Sequence, residues 1–594
     1  MRRVWRWCVL SVGMQVSLAH AELDLRPLEA GQWNPATAAH LLSRAGFGIS
    51  NAQARAMSQQ SMEEVVDALL NPAHPQSAFV HSDIFEPGLD PFPPSRPATT
   101  ALARQQGHAL GVAVRPEGNR PMQGVVNKFF YWLRASRLET DRVAYWWAER
   151  MLLSESPLQE KLALFWHGHF ACNEDKVRDY RKMLRQVELF RSKGLGSFRD
   201  LVLAVAQDPA MLVFLDAGVN TKDSPNENFA REIMELFTMG VGHYGERDVQ
   251  EAARAFTGWN VEGLEFTLVS DDHDTARKSF LGEEGNFSGA EIIDIIMRQP
   301  VTADFIAAKL YRYFVNEDLS RDNEAQLGAV LRQHDYHIGQ YLGVLFRSRD
   351  FYSQANTGSR IKGPVELVVS TYRRLGLDFV PGVPDFNVTT AALGQRLLHP
   401  PTVAGWSEGR SWITPSLLFE RGNFALDVLF PDIGFVPPDR YPVYTAEVVN
   451  VQDRLRQGMS ISEATRPSGV AAENTMAASN LLADRDEDFN TRLGSMRGWQ
   501  MAIERVLPIS RKPARLNLTR EVANAALRTP REVVEHYLQR FFLVRPDEAV
   551  VQAMTAFLRE ELGTEDVGEA LTFAEEPLRK LLHQLLSLPE YQLG

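Results

Sequence analysis

Cysteine is almost absent from this sequence, since Cys8 and Cys172 are the only two among its 594 residues. Cys8 lies in an N-terminal segment that we expect to be removed on export. The remaining chain then has neither an intramolecular disulfide nor a zinc site built from several cysteines. We predict that Cys172 is a buried thiol that packs as a small apolar side chain.

Long apolar runs are also missing, with one short exception at the N-terminus. There, three arginines precede an apolar stretch from Cys8 to Leu18, and Ala19-His20-Ala21 follows. This order is typical of a signal peptide, and about a dozen apolar residues are too few for the roughly 20 that span a bilayer. We expect cleavage after Ala21, a periplasmic or secreted mature chain that begins at Glu22, and no membrane span after cleavage.

Positive charge is in deficit, because 63 lysines and arginines face 75 aspartates and glutamates and the net charge is −12. A chain of this charge repels the phosphate backbone, which argues against nucleic-acid binding as its main role. The sequence also lacks G-x-S-x-G, a Walker P-loop, H-E-x-x-H and C-x-x-C-H. The commonest hydrolase, nucleotide, zincin and c-type cytochrome signatures are therefore absent.

What the sequence does contain is apolar residues at helical spacing along most of its length. This pattern predicts a mostly α fold: a large array of helices with long irregular loops and at most a small β-hairpin near residues 264–270. We divide the chain into a signal peptide (1–21), a main helical domain (22–440), a flexible linker (441–482) and a C-terminal helical block (483–594). Within the main domain, residues 71–122 are rich in Pro and Ser and predict a loop-rich insertion.

Two histidines one residue apart, His167 and His169, form the most suggestive local group. They can share a metal only where the backbone extends or turns, as Gly168 permits at a helix end. Together with His273 and Asp274 they could form a divalent metal site of His and carboxylate ligands. The alternative is that these histidines cap helix ends and hydrogen-bond to loop carbonyls.

A dense polar cluster follows Ser224-Pro225-Asn226-Glu227, which we interpret as the capped start of a helix ending at Gly240. Glu227 and Arg231 are four residues apart on one face of this helix, and Glu232 is adjacent. Such a group is an ion-paired structural cluster or a catalytic one, with Glu227 or Glu232 as general base.

Two further groups could bind a ligand. Arg254, Trp259 and Lys278 could line a cleft and hold an anionic group, or act as packing and salt-bridge partners. The indoles of Trp406 and Trp412 could stack on a sugar or peptide. If they do so together with Trp259, the protein must present an exposed aromatic groove.

Several segments in order resemble one bacterial family. They are His40–Gly48, Trp166–Phe170, Asp208–Leu212, Asn226–Glu232, Thr257–Trp259, Lys362–Pro364 and Pro401–Trp406. The chain resembles the domain of unknown function 1800 (DUF1800) family from about residue 36 to 430, and more loosely to its C-terminus. The resemblance implies an exported bacterial protein without an assigned activity, with a protein of the DUF1501 family as a functional partner.

The sequence departs from the pattern of that family at three positions. Gly168 replaces a common asparagine, Phe237 a common histidine, and Gly245 a helix-capping threonine. Without a histidine at 237, a metal site that uses this position is less well supported. Gly245 should leave the helix that follows it less well capped.

Three functions therefore remain open. The first is an exported protein that acts with a partner in the cell envelope, and the second is a metal-dependent hydrolase in which metal-bound water is the nucleophile. The third is a carbohydrate- or peptide-binding protein.

Overall fold

The computed structural model describes residues 23–72, 78–84, 123–431 and 491–594. The predicted signal peptide, most of the 71–122 insertion and the 441–482 linker lie outside these ranges. Within them the protein is mostly α-helical, as the sequence predicts.

Eleven α-helices lie in the described ranges before the first strand. They are α1 (Pro35–Arg44), α2 (Asn51–Met57), α3 (Met62–Leu70), α4 (Gln123–Leu153), α5 (Pro157–His169), α6 (Glu174–Val177), α7 (Tyr180–Lys193), α8 (Phe198–Ala206), α9 (Pro209–Phe214), α10 (Glu227–Met234) and α11 (Glu246–Ala255).

Thirteen further helices in the described ranges follow the strands. They are α12 (Gly289–Arg298), α13 (Pro300–Phe314), α14 (Arg321–Gln333), α15 (Ile338–Arg347), α16 (Pro364–Leu375), α17 (Phe386–Ala392), α18 (Pro415–Leu429), α19 (Thr491–Arg505), α20 (Leu518–Asn524), α21 (Pro530–Phe541), α22 (Glu548–Leu562), α23 (Val567–Ala570) and α24 (Glu575–Leu586).

The helix starts follow ordinary capping chemistry. Asn34 caps α1, where its side chain accepts from the backbone N–H of Ala36 at 2.9 Å, and Pro35 occupies the first helical position. The apolar spacing predicts a helix near 35–45, and α1 confirms it. The same spacing predicts two helices, at 124–137 and 141–154, whereas the structure has one continuous helix there, α4. Residues 138–140 contain neither Gly nor Pro, so nothing in the chain interrupts the hydrogen-bond ladder there.

Two antiparallel hairpins lie between α11 and α12. The first pairs β1 (Trp259–Glu262) with β2 (Glu265–Leu268), and the second pairs β3 (Lys278–Phe280) with β4 (Glu283–Gly285). The predicted hairpin near 264–270 is therefore present, and a second one accompanies it.

One apolar core runs through the described residues, and the C-terminal helices belong to it. Helix α19 packs along α4, with the Arg134 guanidinium 4.9 Å from the ring centre of Trp499. Near the C-terminus, the Tyr591 hydroxyl lies 2.6 Å from the Thr371 hydroxyl of α16. The C-terminal block thus packs directly on the main part of the chain, while its division into a separate domain stays a prediction.

None of the helices in the described ranges combines the length and the apolar character that crossing a bilayer requires. The longest, α4, has 31 residues but carries charged side chains along its length.

Candidate functional site

The two histidines of the 166–170 segment point away from each other. Helix α5 continues through His169, so the backbone does not turn at Gly168 as the metal hypothesis requires. The fully buried His167 ring accepts a hydrogen bond at Nε2 from the Leu398 N–H, 3.1 Å away. On the other side of the helix, His169 Nε2 lies 3.0 Å from the Phe237 carbonyl oxygen.

The two other predicted metal ligands have protein partners as well. His273 Nδ1 lies 2.8 Å from the Thr257 carbonyl oxygen, and Asp274 accepts from Arg254 Nε at 2.7 Å. The structure does not assemble His167, His169, His273 and Asp274 into a metal site. His169 and His273 bond to carbonyls, as the alternative prediction has it, whereas His167 accepts from a backbone N–H.

A different group does have ligand atoms close together. Across the described residues, only Glu174, Asp175 and His399 place three potential ligand atoms within 4.8 Å of one another. Glu174 is buried, and burial raises the pKa of its carboxyl to about 8.

The polar cluster at the start of α10 is built from ion pairs near the surface. Arg231 donates to Glu227 at 3.0 Å and to Glu246 at 2.7 Å, and about a third of its side chain is exposed. Burial and the neighbouring Glu235 raise the pKa of Glu232. These contacts agree with the structural interpretation of the cluster, and its predicted catalytic role stays a prediction.

The start of α10 differs from the predicted capping box. Asn226 is the N-cap residue, and its side chain accepts from the Asn228 N–H at 3.0 Å. The helix thus begins two residues later than Ser224 and Pro225 suggest, because an asparagine side chain caps at least as well as serine.

The predicted cleft residues 254, 259 and 278 do lie near one another, but each is used within the fold. Lys278 donates to the carbonyl oxygens of Asp274 and Ala276 at 2.7 and 3.1 Å, and Arg254 is paired with Asp274. Trp259 packs edge-on against Phe256, 5.0 Å between ring centres.

The exposed aromatic groove is not formed, and this expectation was wrong. Trp259, Trp406 and Trp412 are 5%, 9% and 6% exposed, because each indole packs against the fold instead of facing bulk solvent. Trp406 and Trp412 instead line an internal cavity together with His169.

This cavity has a volume of 320 Å³ and lies where α5, α13 and the start of α16 meet the loop around Trp406. We call it the cationic cavity. Its lining is Leu164, Phe165, Gly168, His169, Lys309, Arg312, Tyr313, Arg360, Gly363, Glu366, Gln395, Ala404, Trp406, Glu408 and Trp412.

A buried ion-pair network forms one wall of the cationic cavity. Glu366, in the first turn of α16, lies 2.8 Å from Lys161 Nζ and 3.2 Å from Arg360 Nη1. Burial by itself raises the pKa of Glu366, but the charges of Lys161, Arg360 and Arg44 outweigh it and hold the pKa at about 2. Glu366 is therefore a permanent anion surrounded by cations.

Positive charge exceeds negative charge in this region. Lys362 and Arg421 are also buried and interact electrostatically with Glu366. Arg44 is fully buried, and its Nε and Nη1 have no hydrogen-bond acceptor among the described residues. Buried donors of this kind are normally satisfied by protein, water or a ligand.

Lys309 also lines the cavity. Its Nζ lies 3.2 Å from His169 Nδ1 and 4.8 Å from the ring centre of Phe305. A lysine can only donate, so Nδ1 is the acceptor and Nε2–H donates to the Phe237 carbonyl. Burial lowers the pKa of Lys309 to about 8, and it lowers that of His169 well below its usual value. The cavity thus holds a neutral imidazole beside a cation.

The Phe237 carbonyl that accepts from His169 lies in a segment where the helix type changes. Helix α10 ends at Met234, and a π-helical turn follows from Glu235 to Met239. A π-turn disrupts the regular hydrogen-bond ladder and is frequent near functional sites. The Phe237 side chain is fully buried, and its ring centre lies 6.1 Å from that of His169.

Sequence reasoning did not single out the charged residues of the cavity, namely Lys309, Arg312, Arg360, Glu366 and Glu408. A weak signal was present, because Lys309 and Arg312 are three residues apart on a helix that is otherwise mostly apolar. Nothing in the sequence brings Arg360 and Glu366 next to that helix.

Comparison with known proteins identifies the family. Residues 40–593, nearly the whole chain, match the family described as protein of unknown function (DUF1800). No curated protein and no solved structure matches the chain. The protein therefore belongs to the DUF1800 family.

Proposed function

We propose that this DUF1800 protein is an exported protein of the bacterial cell envelope that binds a small anionic ligand in the cationic cavity. The observation that carries the proposal is the excess of buried positive charge around Glu366. Lys309 and Arg360 line the cavity, as does Arg312, which is partly exposed and paired with Glu324, whereas the only carboxylates in the lining are those of Glu366 and Glu408.

The balance of charge supports an anion in particular. Lys161 and Arg360 already neutralise Glu366, and the nearby Arg44 bonds to the Val315 carbonyl but to no carboxylate of the described residues. Moving a cation out of water costs free energy unless an anion or hydrogen-bond acceptors compensate its charge. A carboxylate or phosphate in the cavity supplies both.

The size and the aromatic lining narrow the class of ligand. A volume of 320 Å³ is at the lower end of ligand pockets, which span about 300–1,000 Å³. The indoles of Trp406 and Trp412 offer apolar surface to a ring, as in sugar binding. An acid of about the size of a monosaccharide, such as a uronic acid, fits both properties.

Binding is tested with glucuronate, inorganic phosphate and the neutral sugar glucose, by calorimetry and tryptophan fluorescence. We expect glucuronate to bind and glucose not to. Lys309→Gln should weaken glucuronate binding at least about tenfold, which corresponds to about 1.4 kcal/mol.

Arg298→Gln is the matched control, because Arg298 is an exposed arginine paired with Glu283 outside the cavity. It should bind glucuronate like the wild-type chain. Equal binding of glucose and glucuronate, or no binding of either anion at millimolar concentration, would contradict the proposal.

Export is supported by the N-terminal sequence pattern and by the family resemblance. N-terminal sequencing of the protein recovered from a bacterial periplasm should give Glu22 as the first residue. Recovery of the chain only from the cytoplasm, with its N-terminus intact, would rule export out.

The partnership is supported by the family resemblance alone. We propose a DUF1501-family protein as the partner, and the two proteins produced together should then co-purify. Failure of the pair to associate would remove the partner while leaving ligand binding to be tested separately.

A further inference from the structure

Glu174, Asp175 and His399 form a cluster that the cationic cavity does not include. Glu174 is the first residue of α6, Asp175 follows it, and His399 lies in the turn after α17. Their potential ligand atoms all lie within 4.8 Å of one another.

His399 is the unusual member of this cluster. Its side chain is 7% exposed, yet neither ring nitrogen has a hydrogen-bond partner among the residues that the structure describes. Nδ1 points to Asp175, with 3.6 Å between it and Oδ2, which is beyond hydrogen-bonding distance. A buried imidazole without partners costs free energy that a bound ion would recover.

Glu174 is 3% exposed, and its carboxylate accepts no hydrogen bond from the described residues. Asp175 is different, since 65% of its side chain is exposed. The cluster therefore has a buried side and a side open to solvent, through which an ion can enter.

Backbone contacts hold the two segments of the cluster together. The Glu174 N–H donates to the Leu398 carbonyl at 3.0 Å, and Asn173 Nδ2 donates to the Pro400 carbonyl at 2.8 Å. These two bonds flank His399 and fix it opposite Glu174. The backbone segments that carry the ligands are thus held together before any ion binds, and only the side chains need to move.

We propose that Glu174, Asp175 and His399 bind one divalent first-row transition-metal ion, such as Zn²⁺ or Mn²⁺. One imidazole and two carboxylates suit these ions, whereas Ca²⁺ and Mg²⁺ prefer ligands that are all oxygen. Ligand atoms around a tetrahedral ion with bonds of about 2.0–2.1 Å are about 3.3 Å apart, so the side chains must draw in by about 1.5 Å. The exposed Asp175 side chain can make this movement, and the fourth position is open to water.

The charges near the cluster are of both signs. Arg137 and Arg396 act electrostatically on Glu174 and Asp175, and Asp141 adds a negative charge near Glu174. Arg396, the arginine closest in sequence to His399, is paired with Asp141 at 2.9 Å. Its charge is therefore largely neutralised by a carboxylate outside the cluster.

The test is a calorimetric titration of the full-length chain with ZnCl₂ and with MnCl₂, after removal of metal with a chelator. We expect one ion per chain and a higher melting temperature with the ion that binds. Glu174→Gln and His399→Ala should each weaken binding at least about 100-fold, because losing a direct ligand costs more than losing the outer-shell partners worth 10–100-fold.

His273→Ala is the matched control, since it removes a histidine that bonds to a backbone carbonyl and lies outside the cluster. It should bind metal like the wild-type chain. Should His399→Ala fail to fold, as judged by circular dichroism, the nearly isosteric Glu174→Gln variant decides.

Two outcomes would overturn the proposal. One is that the wild-type chain binds neither ion more tightly than about 1 mM, the range of adventitious contacts. The other is that binding survives unchanged in a folded Glu174→Gln variant. Neither outcome bears on the cationic cavity, because the two sites share no residue.

Discussion

Glu366 shows how a single side chain can organise a buried region. Lys161 is fully buried and Glu366 nearly so, and they are 2.8 Å apart. A complete buried ion pair of this kind contributes little to the stability of the fold. Removing one partner, however, leaves an uncompensated charge in the interior.

Glu366→Gln should therefore lower the free energy of unfolding by about 3–5 kcal/mol, measured by urea denaturation. Because the pKa of Glu366 is lowered to about 2 in the folded protein, its contribution is present above the ordinary glutamate pKa and is lost as the pH falls toward 2. Glu227→Gln, in the partly exposed pair with Arg231, should cost less than about 1 kcal/mol. Equal losses in the two variants would contradict the role given to Glu366.

Two buried imidazoles should make the stability of the protein depend on pH. Burial lowers the pKa of both His40 and His167 to about 3. The unfolded chain binds protons near pH 6.5 that the folded chain does not, so stability falls as the pH decreases from 6.5 toward 3. Each buried imidazole should lower the free energy of unfolding by about 2 kcal/mol when the pH falls from 7 to 5.

Comparing unfolding free energies at pH 7 and pH 5 checks this prediction. His40→Gln, which keeps a donor for the Phe351 carbonyl, should reduce the difference, whereas substitution of the exposed His243 should not. A pH dependence that His40→Gln leaves unchanged would assign the acid sensitivity to other groups.

Among the elements, α11 starts with an incomplete cap. Gly245 has no side chain to bond to the first turn, as the sequence predicts, although its own N–H donates to Asp248 Oδ2 at 2.8 Å. Its φ and ψ of −103° and 166° suit any L-residue, and a Cβ there would meet Asp248 Oδ2 at an ordinary 3.6 Å.

Gly245→Ser should therefore stabilise the protein by a few tenths of a kcal/mol and slow amide exchange in the first turn of α11. Gly242→Ser is the contrasting control, because Gly242 has a φ of +92° that a side chain disfavours, and it should destabilise the protein by about 1 kcal/mol. The same change in both variants would contradict the capping argument.

Apolar periodicity and capping residues predict that a helix forms, as α1 illustrates. They predict less well where a helix ends. The sequence suggested a possible end of α5 at Gly168, yet Trp166, Phe170 and Phe198 stack around this segment and hold it helical through His169. Tertiary packing outweighed the local cost of glycine in the helix.

At the scale of the whole molecule, the C-terminal residues contact residues at and near the cationic cavity. The Gly594 N–H donates to the Arg360 carbonyl at 2.7 Å, Lys362 Nζ donates to the Tyr591 carbonyl at 2.7 Å, and Gln592 accepts from Arg421 at 3.0 Å. Residues more than 170 positions apart thus position the buried cations.

Deletion of residues 591–594 should lower the free energy of unfolding by at least about 3 kcal/mol, because it removes the buried Tyr591 and leaves Lys362 without its acceptor. Glucuronate affinity should fall as well. Tyr591→Phe, which loses only the bond to Thr371, should cost about 1 kcal/mol and leave the affinity unchanged. A truncated chain as stable as the wild type would show that the tail only rests on the surface.

The sequence by itself determined the mostly α class, the family and the burial of Cys172, since helical periodicity, an ordered set of motifs and apolar character are local properties. Only the tertiary structure decided which polar residues meet. It turned His167 and His169 to opposite sides of α5, joined Glu174 to His399 across more than 200 residues, and brought Lys309 and Glu366 into one cavity. Such contacts depend on how helices distant in sequence pack, and helical spacing within one segment does not specify this packing.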